Sequence, residues 1–202
     1  MRIGAVVEGL GDRKAIPSLV SKTALFMQHQ AFVVNIVECG GWGALKKEGG
    51  IERYARLVKA GQILDRVICA VDLDDHCPVT ESSSIAARVE TLQHQIGIPI
   101  QLCFFTREYE TLFLHGLDGI RSRSTDVEWI DPYQVGNPGQ LRDAKGTFSR
   151  AMKLPYRPSI DQDKFTKRLE IAEIIGLSRP LRRLASFITG KSNLEILAFQ
   201  HP

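Results

Sequence analysis

Short apolar runs alternate with amphipathic stretches along the first half of the chain. Four of these runs have the length of a buried strand, and they cover Ile3–Val7, Ala31–Glu38, Val67–Val71 and Pro99–Phe105. Apolar runs without strict alternation are typical of strands buried on both faces, as in parallel sheets. Because helical patterns separate the runs, we expect an α/β fold of Rossmann-like type, with a mostly parallel central sheet flanked by helices.

Amphipathic periodicity predicts a helix between each pair of strands. One follows the first strand, a second covers Glu52–Ala60, and a third covers Ile85–Gln95 with Ser83 or Ser84 as its cap. We interpret Pro78–Ser84 as a polar connector.

The pattern changes after about Gly116, where turn-forming residues become frequent. Later helices are predicted over Gln140–Met152, Gln162–Ile175 and Pro180–Thr189. We therefore expect an α/β core over residues 1–116 and a helical extension over residues 117–202 that docks on it.

Composition adds a few limits on class and compartment. The hydrophobic content of 44% is ordinary for a globular core, and a net charge of +3 permits a nucleic-acid partner without arguing for one. The four cysteines lack metal-knuckle spacing, which favours a reduced, cytoplasmic protein. Glu8 comes too early for a secretory signal, and no apolar run approaches the ~20 residues of a membrane span.

Acidic residues recur where predicted strands end, and they form three groups: Glu8, then Asp72, Asp74 and Asp75, then Glu108 and Glu110. Ligands of open α/β sheets bind at that edge, and clustered carboxylates there need a compensating cation. Mg²⁺ or Mn²⁺ suits all-oxygen ligands better than zinc does. An acidic turn is the structural alternative for the middle group. His76 is either a ligand or general base, or a solvated neighbour.

Two of these groups resemble a known family. Val7-Glu8-Gly9 with Asp12 close behind, followed by Asp72-Leu73-Asp74 after an apolar strand, is similar to the Toprim pattern of topoisomerases, bacterial primases, RecR-type proteins and OLD-family nucleases. The segment Thr106–Leu114 resembles the acidic and aromatic motif of the small Toprim-like proteins grouped as DUF4276. The tail of the chain also resembles that group, in Asp143-Ala144-Lys145, in Tyr156-Arg157-Pro158 and then in Asp161-Gln162.

The resemblance implies roles for individual residues. Glu8 would act next to the scissile phosphate as a metal ligand or general acid/base, and Asp72 and Asp74 would hold Mg²⁺. Glu108 or Glu110 would complete a second metal position, so that two ions are expected. Asp12 is a further ligand or, alternatively, a helix cap. Lys145 would neutralise the transition state.

Further residues are candidates for contact with nucleic acid. Four arginines could contact phosphates, and they are Arg121, Arg123, Arg182 and Arg183. A solvated helix face is the alternative for Arg182 and Arg183. Trp42 and Trp129 would either stack on bases or pack in the core.

These expectations lead to three hypotheses. The first is a metal-dependent Toprim nuclease for DNA or RNA, a subunit of an antiphage defence system whose ABC- or SMC-like ATPase is a separate chain, since this one has no Walker A sequence. The second is a non-catalytic subunit for assembly or nucleic-acid binding. The third is another Mg²⁺-dependent phosphoryl hydrolase, such as a phosphatase. Homo-oligomerisation stays open.

Overall fold

A computed structural model describes residues 1–131, 133 and 135–199 of the chain; Pro132, Gln134 and the end of the expected extension, residues 200–202, lie outside the described residues. Its sheet has four parallel strands, which are β1 (Arg2–Val7), β2 (Phe32–Glu38), β3 (Arg66–Asp72) and β4 (Ile100–Phe105). They lie in the order β2-β1-β3-β4. The predicted α/β, Rossmann-like class with a helical C-terminal part is confirmed.

Helices connect the strands and make up the C-terminal part of the described chain. They are α1 (Leu10–Phe26), α2 (Trp42–Lys46), α3 (Gly50–Lys59), α4 (Pro78–Ile96), α5 (Thr111–His115), α6 (Leu117–Ser122), α7 (Ala144–Arg150), α8 (Pro158–Arg168), α9 (Ile171–Ile174), α10 (Arg179–Thr189) and α11 (Asn193–Ala198).

The two faces of the sheet have separate hydrophobic cores. Along β3, Ile68 and Ala70 pack into the core that contains α1 and the C-terminal helices. Val67 and Cys69 alternate with them and pack into the core that contains α3 and α4. Alternation along a strand therefore explains the unbroken apolar run, because both faces are covered.

Aromatic rings join the C-terminal helices to the sheet. Phe113 and Phe148 lie 5.0 Å apart between ring centroids, and Phe165 lies 5.0 Å from Phe148. Tyr109 and Tyr156 contact Phe113 in the same cluster. Residues on both sides of the expected boundary at residue 116 thus pack into one core.

Helix α8 packs along α1, and a glycine permits their closest approach. A Cβ atom on Gly11 would lie 2.0 Å from Oε1 of Gln162 and 3.2 Å from the backbone of Pro158. Gly11 therefore lets the start of α8 reach the start of α1, where the carboxyl ends of the strands lie.

The prediction for α4 was wrong at its start. The helix begins at Pro78, after Cys77, so the expected polar connector Pro78–Ser84 is helical. Proline is well suited to a first helical position because that position needs no N–H donor. Within the helix the hydroxyls of Ser82 and Ser84 donate to backbone carbonyls four and three residues earlier, so these polar side chains are satisfied without interrupting the helix.

The C-terminal helices also differ from their predicted bounds. The helix expected from Gln140 begins at Ala144, because the side chain of Asp143 caps it by accepting from the N–H of Gly146 at 2.8 Å. The helix expected over Gln162–Ile175 is two helices, α8 and α9, separated at Leu169, which has extended backbone. Along the described part of the chain, no helix is long and apolar enough to cross a membrane.

We expect Phe148→Ala to lower the free energy of unfolding by about 3–5 kcal/mol, because it leaves a cavity among the aromatic rings. Urea denaturation followed by far-UV circular dichroism would measure the loss. Leu154→Ala is the matched control, since Leu154 is 79% exposed and its truncation should change stability by about 0.5 kcal/mol or less. Separate unfolding of the sheet and the C-terminal helices would contradict the shared core.

Candidate active site

A polar cleft lies at the carboxyl ends of β1 and β3. These neighbouring strands continue into α1 and α4 on opposite faces of the sheet, so the cleft is at the switch point where open α/β sheets bind ligands. It has a volume of about 360 Å³. We call it the carboxylate cleft, and its acidic and basic lining residues are Glu8, Asp12, Asp72, Glu110 and Lys145.

Glu8 and Asp72 follow adjacent strands and are in contact. The backbone N–H of Asp72 donates to Oε2 of Glu8 at 3.4 Å. The Glu8 carboxylate also borders the loop after β2, where a Cβ atom on Gly41 would lie 3.5 Å from it. Gly41 has a φ of 106°, which strongly favours glycine, so this loop approaches Glu8 without a side chain in between.

Asp12 is held on both of its carboxylate oxygens. Oδ2 accepts from the backbone N–H of Gly9 at 3.2 Å, which is the capping role considered for Asp12. Oδ1 accepts from Nε2 of Gln162 at 2.7 Å. Asp12 therefore caps α1 and also faces the carboxylate cleft, so capping does not exclude its predicted role toward a cation.

Glu110 is the most deeply buried acid of the cleft, with 2% of its surface exposed. It lies beside Tyr156, whose interaction lowers the pKa of the Glu110 carboxyl without offsetting the effect of burial. The Tyr156 hydroxyl is buried and has no hydrogen-bond partner of ordinary length within the described chain. The Tyr156 hydroxyl therefore lies where it favours the ionised form of Glu110, although burial still dominates and the pKa of Glu110 remains raised.

The four acids share one electrostatic problem. Burial is the largest cause that raises the pKa of Glu8, Asp12, Asp72 and Glu110, and it brings that of Glu110 to about 7. Negative neighbours add to the effect, most of all at Asp72, where Glu110, Asp12 and Glu8 oppose ionisation. The cleft thus carries more negative charge than its surroundings stabilise.

Lys145 is the single basic side chain among the described residues that line the cleft. Burial lowers its pKa, but Glu110, Glu108, Asp72 and Glu8 outweigh burial, and the net pKa is raised. Lys145 is therefore a firmly protonated ammonium group that compensates only part of the charge.

The donor set fits a hard cation. Among the residues that the structure describes, no three Asp, Glu, His or Cys side chains already form a compact metal-binding group. Glu8, Asp72 and Glu110 nevertheless offer only carboxylate oxygens to one cleft, and their raised pKa values show that a positive charge would be favourable there. They are the residues that would hold Mg²⁺ or Mn²⁺.

Two predicted ligands lie outside this lining. Asp74 lies beyond the strand, because β3 ends at Asp72 and Asp74 has a φ of 49°, so strand alternation does not place it on the same side as Asp72. Its carboxylate is exposed and still raises the pKa of Glu8. Glu108 instead accepts from the backbone N–H of Lys145 at 2.7 Å, and so it anchors the start of α7.

The four arginines proposed for nucleic-acid contact do not line the cleft. Arg121 pairs with Asp131 at 3.2 Å, and Arg123 pairs with Glu173 at 3.0 Å. Arg182 donates to the backbone oxygens of Ile175 and Gly176, before its own helix. Arg183 is partly exposed on α10. Three of the four thus have local structural partners.

Both tryptophans pack against protein groups. Trp42 is buried, contacts Phe104 edge-on, and donates to Oε2 of Glu81 at 2.6 Å. Trp129 packs against Phe148 and Phe165. Because Trp42 is buried, the predicted stacking of Trp42 on a nucleic-acid base is wrong for this structure.

His76 is an exposed neighbour of the acidic group after β3, and its Nδ1 lies 3.0 Å from the Leu73 carbonyl oxygen.

Residues of α8 complete the cleft, and their role was not predicted. Gln162 holds Asp12 from a position 150 residues further along the chain, and Pro158 and Ser159 line the same wall. The nearest signal in the sequence was the resemblance of Tyr156-Arg157-Pro158, followed by Asp161-Gln162, to a known motif.

Comparison of the chain with family models, curated proteins and solved structures finds no match. The Toprim resemblance therefore depends on the motif residues themselves.

We expect Glu110→Gln to stabilise the metal-free protein at pH 8. The Glu110 carboxyl has a pKa of about 7 when folded and about 4.5 when unfolded, so folding favours its protonated form. The contribution of this carboxyl to the free energy of unfolding is fully present below about pH 4.5 and is lost as the pH rises through about 7. The loss is up to about 3 kcal/mol. Thermal denaturation from pH 5 to 8 would measure it.

Glu90→Gln is the control for this experiment, because Glu90 is an exposed residue of α4. It should leave the pH dependence unchanged. A Glu110→Gln variant less stable than the wild type at pH 8 would contradict the electrostatic account of the cleft.

Proposed function

We propose that this protein is a Mg²⁺- or Mn²⁺-dependent nuclease of Toprim type, which hydrolyses phosphodiester bonds of DNA or RNA. One observation carries the proposal: Glu8, Asp72 and Glu110 come from three segments and meet Lys145 in a cleft at the switch point of the sheet. Such a cleft combines acidic oxygens for cations with one ammonium group for a phosphate.

The acidic residues would hold the cations. Bound Mg²⁺ ions, two in this proposal, supply activation of water and neutralisation of the charge on the reacting phosphate. Asp72 interacts electrostatically with both Glu8 and Glu110, so all three carboxylates would contribute to holding the ions.

Glu8 and Lys145 would act on the substrate. Oε2 of Glu8 accepts from the backbone of Asp72, which leaves Oε1 to accept a proton from the attacking water. The water oxygen bonds to phosphorus, the bridging P–O bond breaks, and the leaving oxygen is protonated from solvent. Lys145, kept protonated by its acidic neighbours, would bind a non-bridging oxygen of the phosphate.

The Toprim resemblance extends the proposal to partners. Toprim nucleases of the OLD type, and the DUF4276-like proteins, work beside or within ATPase systems. We propose accordingly that this chain is the nuclease subunit of an antiphage defence system, with an ABC- or SMC-like ATPase as a separate subunit that licenses cleavage. A non-catalytic subunit that only assembles or binds nucleic acid is the main alternative.

A phosphatase is a second candidate, because Lys145 is close enough to lower the pKa of Asp72. A nucleophilic Asp72 beside a lysine is the arrangement that such an enzyme needs. The phosphatase mechanism gives Glu8 no function, although Glu8 contacts Asp72 directly, and we therefore rank it below the nuclease.

We expect Asp72→Asn to abolish cleavage of labelled DNA or RNA in Mg²⁺ or Mn²⁺, by at least about 100-fold, because it removes the central carboxylate of the cleft. The assay is run with and without any co-encoded ATPase. Asp118→Asn is the matched control, since Asp118 is an exposed acid of α6 outside the cleft, and it should cleave normally.

The same assay separates the alternatives. Equal behaviour of wild type and Asp72→Asn under every condition would overturn the nuclease proposal. If both then bind the ATPase, the protein is an assembly subunit. Turnover of a small phosphate ester with intact polymers would favour the phosphatase.

We expect Lys145→Ala to reduce kcat by about 100- to 1,000-fold, because the transition state loses its positive partner. Lys145→Arg should retain part of the rate. Lys153→Ala is the control, since Lys153 is exposed and pairs with Glu128 at 2.8 Å outside the cleft. A wild-type rate for Lys145→Ala in a single-turnover assay would refute this role.

A further inference from the structure

A second cavity lies on the other side of the segment that carries Glu108 and Glu110. It has a volume of about 120 Å³ and shares no lining residue with the carboxylate cleft. Glu108 and Thr111 line this side cavity, whereas Tyr109 and Glu110 between them line the cleft. One short stretch of chain is thus the common wall of both.

The side cavity combines apolar walls with polar groups. Its apolar lining comes from Phe105, Leu112, Leu177 and Pro180. Leu177 is a large apolar residue with 60% of its surface exposed, so the apolar wall reaches solvent. A volume of about 120 Å³ approaches the roughly 150 Å³ of an engineered apolar cavity that binds benzene, so the side cavity has the size of a single small ring system.

The polar lining offers both donors and acceptors. Glu108 supplies carboxylate oxygens, Arg179 supplies guanidinium donors, and both line the side cavity. Burial lowers the pKa of His115, so its neutral ring presents one donor and one acceptor nitrogen. A flat apolar ligand with hydrogen-bonding edges suits such a lining, and an unstacked nucleobase has that chemistry.

Glu108 ties the side cavity to the cleft. Its carboxylate accepts the backbone N–H of Lys145, and Nζ of Lys145 lies 3.9 Å from Oε1 of Glu108. Glu108 therefore contacts Lys145 and also lines the side cavity, so a phosphate bound by Lys145 would be separated from that cavity by the Glu108 side chain. In a nucleic acid, the group that follows this phosphate along the strand is the next base, so that base is the one nearest the side cavity.

We propose that the side cavity binds one unstacked base next to the cleaved phosphate. The proposal deepens the nuclease function and rests on it. It names the substrate class as single-stranded or locally unpaired nucleic acid, because a base stacked in a duplex cannot enter a side cavity.

The test uses single-stranded oligonucleotides in which one abasic position is moved along the strand. Binding is measured by fluorescence anisotropy in Ca²⁺, which occupies oxygen sites with flexible geometry, and cleavage is measured in Mg²⁺. We expect an abasic position beside the cut to weaken binding about fivefold or more, as for loss of one stacked base. Abasic positions further away should have no effect.

A protein variant gives the complementary measurement. Leu177→Trp places a large ring at the mouth of the side cavity and should remove the sensitivity to the abasic position. Leu194→Trp is the matched control, because Leu194 is 81% exposed on α11 and does not line the side cavity. It should behave like the wild type.

The outcomes separate this proposal from the nuclease proposal. Cleavage without any sensitivity to the abasic position overturns the base site and leaves the nuclease function intact. Sensitive binding without cleavage in any metal supports the base site and overturns the nuclease. If the sensitivity persists in Leu177→Trp, the base binds elsewhere and the proposed role of the side cavity is overturned. That role is also overturned if an apolar peptide binds in the side cavity while oligonucleotide binding is unchanged.

Discussion

The repulsion among buried carboxylates is the constraint on which the structure around β1 and β3 depends. Glu8, Asp72 and Glu110 each resist ionisation, because burial and their negative neighbours both oppose the charged form. A fold does not retain such a group for stability, since apolar residues of similar size would cost less. Such a cluster suits the positive charge that the proposed cations would supply.

The C-terminal helices hold this cluster together. Helix α7 begins where Glu108 accepts its backbone N–H, and this places Lys145 at the cleft. Helix α8 packs on α1 through Gly11 and brings Gln162 to Asp12. The aromatic core beneath these helices fixes their positions, so a change far from the cleft in sequence would alter its charge balance.

The cleft and the side cavity together describe how a nucleic acid would lie on the protein. Acidic oxygens and one ammonium group would act on a phosphate, and a ring-sized cavity behind Glu108 would accept the neighbouring base. Three of the four arginines proposed for phosphate contact are engaged with protein groups.

The sequence by itself determined the strands, the parallel sheet and the acids at strand ends, because apolar runs and their carboxyl ends are local features. It could not determine that Asp74 adopts a positive φ and lies outside the cleft lining, or that α4 begins at Pro78. Only the tertiary structure decided that Glu110 joins the cleft while Glu108 supports Lys145. Those outcomes depend on contacts between segments distant in sequence, such as Gln162 on Asp12, and no local pattern encodes them.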